Sequence, residues 1–162
     1  MRKKFLKRQY LLLVSCVIIT VDQASKSIIS RLLLEEASKP LIPRIIGLRL
    51  VRNSGAAFSL FQDWSIFLGW LSLLASILLL IWILFSNTTT RLQGYSLAFL
   101  LGGSVGNGID RWRYGYVVDF FEIMPFNFPI FNCADIAINI AALCFIIDAI
   151  SRNGPGKSIR KS

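Results

Sequence analysis

Two aspartates in this sequence have the surroundings to act as an acid and base pair. Asp119 lies in Val117-Val118-Asp119-Phe120-Phe121, with no cation beside it in the sequence. Apolar surroundings disfavour the charged form of a carboxylic acid and raise its pKa. Asp135 lies in Phe131-Asn132-Cys133-Ala134-Asp135, near the start of an apolar helical run. A helix N-terminus favours an anion there. One carboxyl held protonated and a neighbour held ionised is the division of labour by which paired aspartates activate water for hydrolysis. The two are 16 residues apart (135 − 119), with Pro125 and Pro129 between them, so the intervening chain could fold back. The competing reading makes Asp119 a solvated loop residue and Asp135 a helix cap. Spacing alone leaves both open.

Other polar residues stand inside apolar runs, where a charged group costs about 2.5–3.5 kcal/mol at the centre of a spanning helix. Asp22 and Lys26 are spaced i,i+4, so they can pair on one helix face. Ser25 and Lys26 are adjacent and point about 100° apart, which argues against a serine/lysine dyad. Asn107, Asp110 and Arg111 share a face at i, i+3 and i+4, and Asp110 with Arg111 could close a packing seam. Gly102 with Gly106, and Ser104 with Gly108, form small-xxx-small pairs that let another helix approach closely.

The sequence has no histidine, which removes Ser-His-Asp and Cys-His catalysis and an ordinary zinc site. Cys16, Cys133 and Cys144 show no metal-binding spacing and read as small apolar side chains. No phosphate-loop motif is present.

These groups need elements to position them. Of the 162 residues, 54% are hydrophobic, and mean hydropathy is +0.59. Both values point to a membrane protein. The net charge of +9 comes from 18 Lys+Arg against 9 Asp+Glu. Its concentration in the tails, at Arg2 to Arg8 and Arg152 to Lys161, favours anchoring beside anionic lipid over nucleic-acid binding. Four apolar runs, at about 10–29, 66–85, 92–110 and 134–150, approach the roughly 20 residues a spanning helix needs. The first contains Asp22 and Lys26 and lacks a following A-x-A site, so it reads as a retained helix rather than a cleaved signal peptide. An even number of crossings puts both basic tails, 1–9 and 151–162, on the cytoplasmic side. Asp148 then falls at the cytoplasmic end of the fourth helix, where water would solvate it.

Two extracytoplasmic regions remain, about 31–65 and 111–132. Leu48 to Arg52 partly alternates as a half-exposed strand does, and Asn53-Ser54-Gly55 reads as a turn. The second region, with Phe120, Phe121, Phe126, Phe128 and Phe131 around two prolines, reads as an apolar, helix-resistant loop dipping into the interface. The expected fold is therefore an all-α membrane protein of a single domain. It has four transmembrane helices, a small extracytoplasmic β-sheet, and an extracytoplasmic loop or helix over the site.

Four ordered blocks carry a resemblance to a known family. They are Asp22-Gln23-Ala24-Ser25-Lys26, Asn53-Ser54-Gly55-Ala56-Ala57-Phe58, Gly102 to Arg111 with Gly115-x-x-Val118-Asp119-Phe120, and Phe131-Asn132-x-Ala134-Asp135. Together they resemble the lipoprotein signal peptidases (signal peptidase II), which are bacterial inner-membrane aspartic proteases. The resemblance implies removal of the signal peptide from a diacylglyceryl-modified prolipoprotein, on the N-terminal side of the lipid-modified cysteine. It implies that Asp119 and Asp135 are catalytic. Asp22, Lys26, Asn53, Gly55, Asn107, Asp110, Arg111 and Asn132 take the polar positions around them, with Arg111 steadying Asp110. It further implies no metal or organic cofactor and inhibition by the cyclic peptide globomycin. The chain would act as a monomer in membrane lipid. Ser104 and Cys133 stand at variable-looking motif positions. Two rival readings are a non-enzymatic membrane protein with an intramembrane ion path and a presenilin-like protease. The second fails because Ile109, not Asp, follows Gly108.

Overall fold

The computed structural model describes residues 7–34, 38–55, 61–85, 90–126 and 128–153. The first apolar run winds into α1 (Arg8–Leu32). Its buried stripe is Leu11, Ser15, Asp22 and Lys26, while Leu13, Val17, Val21 and Ile28 are exposed. That is the inverse of a helix on a water-soluble domain, where the apolar stripe faces inward. A helix solvated by lipid has this pattern, with its few polar groups turned toward protein.

Three further helices follow: α2 (Ser65–Phe85), α3 (Arg91–Tyr114) and α4 (Cys133–Asn153). Among the described residues, α1, α2 and α4 are long and apolar enough to cross a membrane. The 24-residue α3 is long enough, but its glycines, serines and charges make it less apolar. It packs against all three other helices, so its polar face meets protein rather than lipid. Thr90 and Gln93 cap its start reciprocally, and Gly115 ends it in the left-handed conformation at φ 77°.

The small residues of α3 set how near its neighbours come. A Cβ on Gly103 would lie 2.6 Å from the Ala134 carbonyl oxygen of α4. One on Gly106 would lie 2.7 Å from Asp22 Oδ2 of α1. Neither approach leaves room for a side chain. The Ser15 hydroxyl donates to the Ala98 carbonyl at 2.9 Å, a second close tie between α1 and α3. An apolar cluster of Leu11, Leu79, Ile83, Leu97, Ala98 and Leu101 fills the half of the bundle around the start of α1 and α3.

At the opposite end lies a three-stranded antiparallel sheet, β1 (Ser38–Ile42), β2 (Ile46–Asn53) and β3 (Val117–Ile123), in that spatial order. Leu50 and Val118 of the sheet pack on Leu33 at the end of α1. Here the structure corrects the reading of 111–132 as loop. Arg111 to Tyr114 continue α3, and Val117 to Ile123 form β3. No helix lies between α3 and α4 among the described residues. β3 carries the pattern of an inner strand: β2 pairs with one edge, and an isolated bridge between Phe121 and Phe131 occupies the other. That bridge turns the 128–132 segment back toward the start of α4.

Asp148 is also corrected. It is 5% exposed rather than solvated, because Arg152 pairs with it at 2.9 Å and the Thr90 hydroxyl donates to it. These contacts tie the end of α4 to the start of α3.

Candidate active site

The buried polar groups at the sheet end of the bundle form one connected network, beginning on α1. The Lys26 ammonium sits 2.9 Å from Asp22 Oδ2, 2.9 Å from Asp110 Oδ2 and 2.9 Å from Asn107 Oδ1. An ammonium has three protons to donate, and here each finds an acceptor. Asp22, Lys26 and Asp110 are at most 3% exposed, so mutual satisfaction is what makes their burial tolerable. Gln23 adds a second link, its amide donating to Asp110 Oδ1 at 2.9 Å and to Asp22 Oδ2 at 3.2 Å. The expected Asp22–Lys26 pair is present. The expected Asp110–Arg111 contact is not: residues adjacent on a helix diverge by about 100°, and Lys26 from another helix takes Asp110 instead.

From this ion cluster two carboxylates reach outward to fix other elements. Asp110 Oδ2 accepts the Val118 backbone N–H at 3.0 Å, holding the start of β3. Asp22 Oδ1 accepts the Ala134 N–H at 2.9 Å, satisfying one of the free amides that open α4. The rest of that terminus is a capping box. Asn132 Oδ1 accepts the Asp135 N–H at 3.0 Å, and Asp135 Oδ2 accepts the Asn132 N–H at 3.1 Å.

The geometry brings Asp119 and Asp135 to one place. Asn132 Nδ2 donates to Asp119 Oδ1 at 2.6 Å, while the oxygen of the same amide holds the Asp135 N–H. Asp119 Oδ2 receives Asn53 Nδ2 at 2.9 Å, and Asp135 Oδ1 receives Asn107 Nδ2 at 2.8 Å. Asn107 Oδ1 takes Asn132 Nδ2 at 3.0 Å as well as Lys26. Three asparagines thus fix both carboxyls. Both aspartates line a cavity of about 250 Å³, with Asn53, Asn107, Arg111, Phe128 and Ile138 among its walls.

The environments of the two acids differ. Asp119 is 3% exposed, and its pKa is pushed up to about 7, first by burial and then by the charge of Asp135. The Asn53 and Asn132 hydrogen bonds offset part of that rise. Asp135 is half-buried in the first turn of α4 and accepts N–H groups on both oxygens, an arrangement that suits a negative charge. Asp119 has no cation beside it in the sequence, but the fold brings cations near. Lys26 and Arg111 come from other elements and lie within electrostatic reach. Arg111 Nη2 donates to the Gly55 carbonyl at 3.2 Å, while the Gly55 N–H bonds Asn53 Oδ1 at 3.0 Å. The Asn53-Ser54-Gly55 turn is thereby fastened to α3.

Every residue that sequence reasoning placed around the acids joins this network. Gln23, quoted there only as part of a motif, was missed. An amide inside an apolar helix, on the same side as Lys26, is the signal that could have identified it. The Ser25 hydroxyl faces Cys133 Sγ at 3.3 Å, away from Lys26.

Fold and site define a helical membrane protein with a buried acidic centre. Comparison with known proteins narrows the class. Residues 14–151 match the family model of signal peptidase II. A lipoprotein signal peptidase of Synechococcus sp. (strain RCC307) is 52% identical over 145 residues, covering 89% of this chain and 96% of the relative. Another, from Parasynechococcus marenigrum (strain WH8102), is 49% identical over 148 residues, covering 91% and 93%. Two solved structures, each described as a bacterial membrane enzyme determined by the in meso method, superpose on the fold. The one at 2.3 Å resolution has a TM-score of 0.88 at 26% identity, covering 100% of this chain and 99% of its own. The one at 1.9 Å has 0.81 at 28% identity, covering 93% and 97%. The chain belongs to the signal peptidase II family.

Proposed function

We propose that this protein removes the signal peptide from diacylglyceryl-modified prolipoproteins by an aspartate-pair mechanism, cutting just before the lipid-modified cysteine. The observation that carries this reading is the single amide of Asn132. It joins Asp119 to the Asp135 backbone on the wall of one cavity. Family membership supports a peptidase acting on lipoprotein signal peptides.

In this reading the Asp135 carboxylate takes a proton from a water, and the water oxygen attacks the scissile carbonyl carbon. Asp119, protonated near neutrality, donates its proton to the carbonyl oxygen. The resulting tetrahedral diol collapses as the pair returns a proton to the leaving nitrogen. The C–N bond breaks, leaving a carboxyl end on the signal peptide and an amino group on the lipidated cysteine. Two close carboxyls cannot both ionise easily, so they titrate as a pair. Arg111, whose Nε has no partner among the described residues, lines the cavity and can take a substrate carbonyl.

The same proposal has four crossings, both termini in the cytoplasm of a bacterial inner membrane, and the sheet and acid pair at the outer face. It includes no cofactor, action as a monomer, and inhibition by globomycin. The test is reconstitution in lipid with a diacylglyceryl-modified prolipoprotein. Asp119→Asn and Asp135→Asn should each abolish cleavage while the protein still inserts. Near-normal turnover by either variant would sink the pair assignment.

A further inference from the structure

Each of the two acids is held twice. Its carboxyl meets asparagine amides, and its backbone is held one residue upstream by a buried carboxylate. Asp110 Oδ2 accepts the N–H of Val118, the residue before Asp119. Asp22 Oδ1 accepts the N–H of Ala134, the residue before Asp135. Asp110 and Asp22 thus stand behind the two acids in the same register, one holding β3 and the other α4. The spacing of this inner pair bears directly on the spacing of Asp119 and Asp135.

Two side chains of α1 link the inner pair. Lys26 meets Asp22 Oδ2 and Asp110 Oδ2, each at 2.9 Å. Its charge supplies attraction, but at Asp110 it meets the same oxygen that holds Val118. Gln23 takes the other oxygen. Its Nε2 donates to Asp110 Oδ1 at 2.9 Å, and shares its two protons with the Gly106 carbonyl at 3.1 Å and Asp22 Oδ2 at 3.2 Å. The outer torsion of an aspartate is soft, so a carboxyl held at one oxygen can turn, and a contact on the second oxygen stops it. Gln23 carries no charge, so what it adds to Lys26 is geometry.

We propose that Gln23 is a positioning residue for the acid pair: by bridging Asp22 to Asp110, it sets the spacing of the backbone segments that present Asp119 and Asp135. This rests on the peptidase reading above. Activating one water between two carboxyls depends on their placement, and an error of about 1 Å costs roughly 100-fold in rate. The alternative is that Gln23 only ties α1 to α3, as Ser15 does where its hydroxyl donates to the Ala98 carbonyl at 2.9 Å.

The experiment measures cleavage of a diacylglyceryl-modified prolipoprotein by the full chain in lipid vesicles, with thermal melting in parallel. Gln23→Met keeps the length of the side chain and leaves the charges of the ion cluster as they are. It should lower kcat about 10- to 100-fold while KM stays near the wild-type value. Ser15→Ala, which cuts the other tie between the same helices, should lower the melting temperature and leave kcat unchanged. Wild-type kcat in Gln23→Met overturns the proposal, as does a raised KM at unchanged kcat, which reports lost substrate binding. A kcat loss that Ser15→Ala matches makes Gln23 an ordinary helix tie and overturns it too. If Gln23→Met does not insert, the same outcomes are read on Gln23→Asn, whose amide ends one methylene short of Asp110. In each overturning outcome the wild type still cleaves and Asp119→Asn does not, so the peptidase reading stands. If the wild type cuts nothing, both readings fall.

Discussion

The side chain of Asn132 approaches Asp119 Oδ1 to 2.6 Å with its nitrogen while its oxygen caps the helix that carries Asp135. One amide therefore sets the position of both acids. Asn132→Asp keeps an oxygen for the cap but replaces the donor with a negative group facing Asp119. We expect it to retain most of its thermal stability and lose about 100-fold or more in kcat. Asn132→Ala should lose the cap as well, costing about 1 kcal/mol of stability. Parallel melting curves and cleavage rates separate the two effects.

The raised pKa of Asp119 has a defined sign. Its folded-state value is about 7, above the ordinary carboxylate range, so the folded protein holds a proton that the unfolded chain releases. Stability therefore falls as pH rises from about 4 to about 7. Asp119→Asn removes that titration. The variant's melting temperature relative to wild type should climb between pH 5 and pH 8. In the wild type, kcat/KM should decline on the alkaline side with an apparent pKa near 7, belonging to the pair.

Lys26 pairs with two buried carboxylates at once. Lys26→Met leaves Asp22 and Asp110 facing each other without a cation, at a cost of about 3–5 kcal/mol. Adding Asp110→Asn should recover part of the loss. A double-mutant cycle read by thermal unfolding in detergent measures the coupling, and simple additivity would contradict a shared network.

Gly106 and Gly108 provide a steric contrast within one helix. A Cβ at Gly106 meets Asp22 Oδ2 at 2.7 Å, whereas at Gly108 the contact is Ser72 Cβ at 3.3 Å. Gly106→Ala should cost about 1–3 kcal/mol and lower activity by shifting Asp22 off Ala134. Gly108→Ala should change stability by less than about 1 kcal/mol, because gained helix propensity offsets the tighter contact.

The helices were legible because three are long apolar runs and the fourth, α3, is long with a small-residue pattern, and the observed bounds lie within four residues of the expected ones. β3 was not legible. Val117-Val118-Asp119-Phe120 is buried at successive positions, hence on both faces of the strand, so it lacks the alternation that revealed β2. Asp22, Lys26, Asn107 and Asp110 of the buried network were readable as costly polar residues in apolar runs, whereas Asn53, Gly55 and Asn132 stood out only through the family motifs. The wiring of the network was not legible, because contacts such as Lys26–Asp110 and Asp22–Ala134 join segments far apart in sequence. Local spacing suggested Arg111 as the partner of Asp110, and packing between helices decided otherwise.

The hydrogen bond from Ala134 to Asp22 closes a loop between the first helix and the last. The contacts among Asp22, Lys26 and Asp110 need only α1 and α3. Asp135, by contrast, comes with α4. In the proposed mechanism a copy without α4 therefore holds the ion cluster but has no acid pair, so hydrolysis waits on that helix.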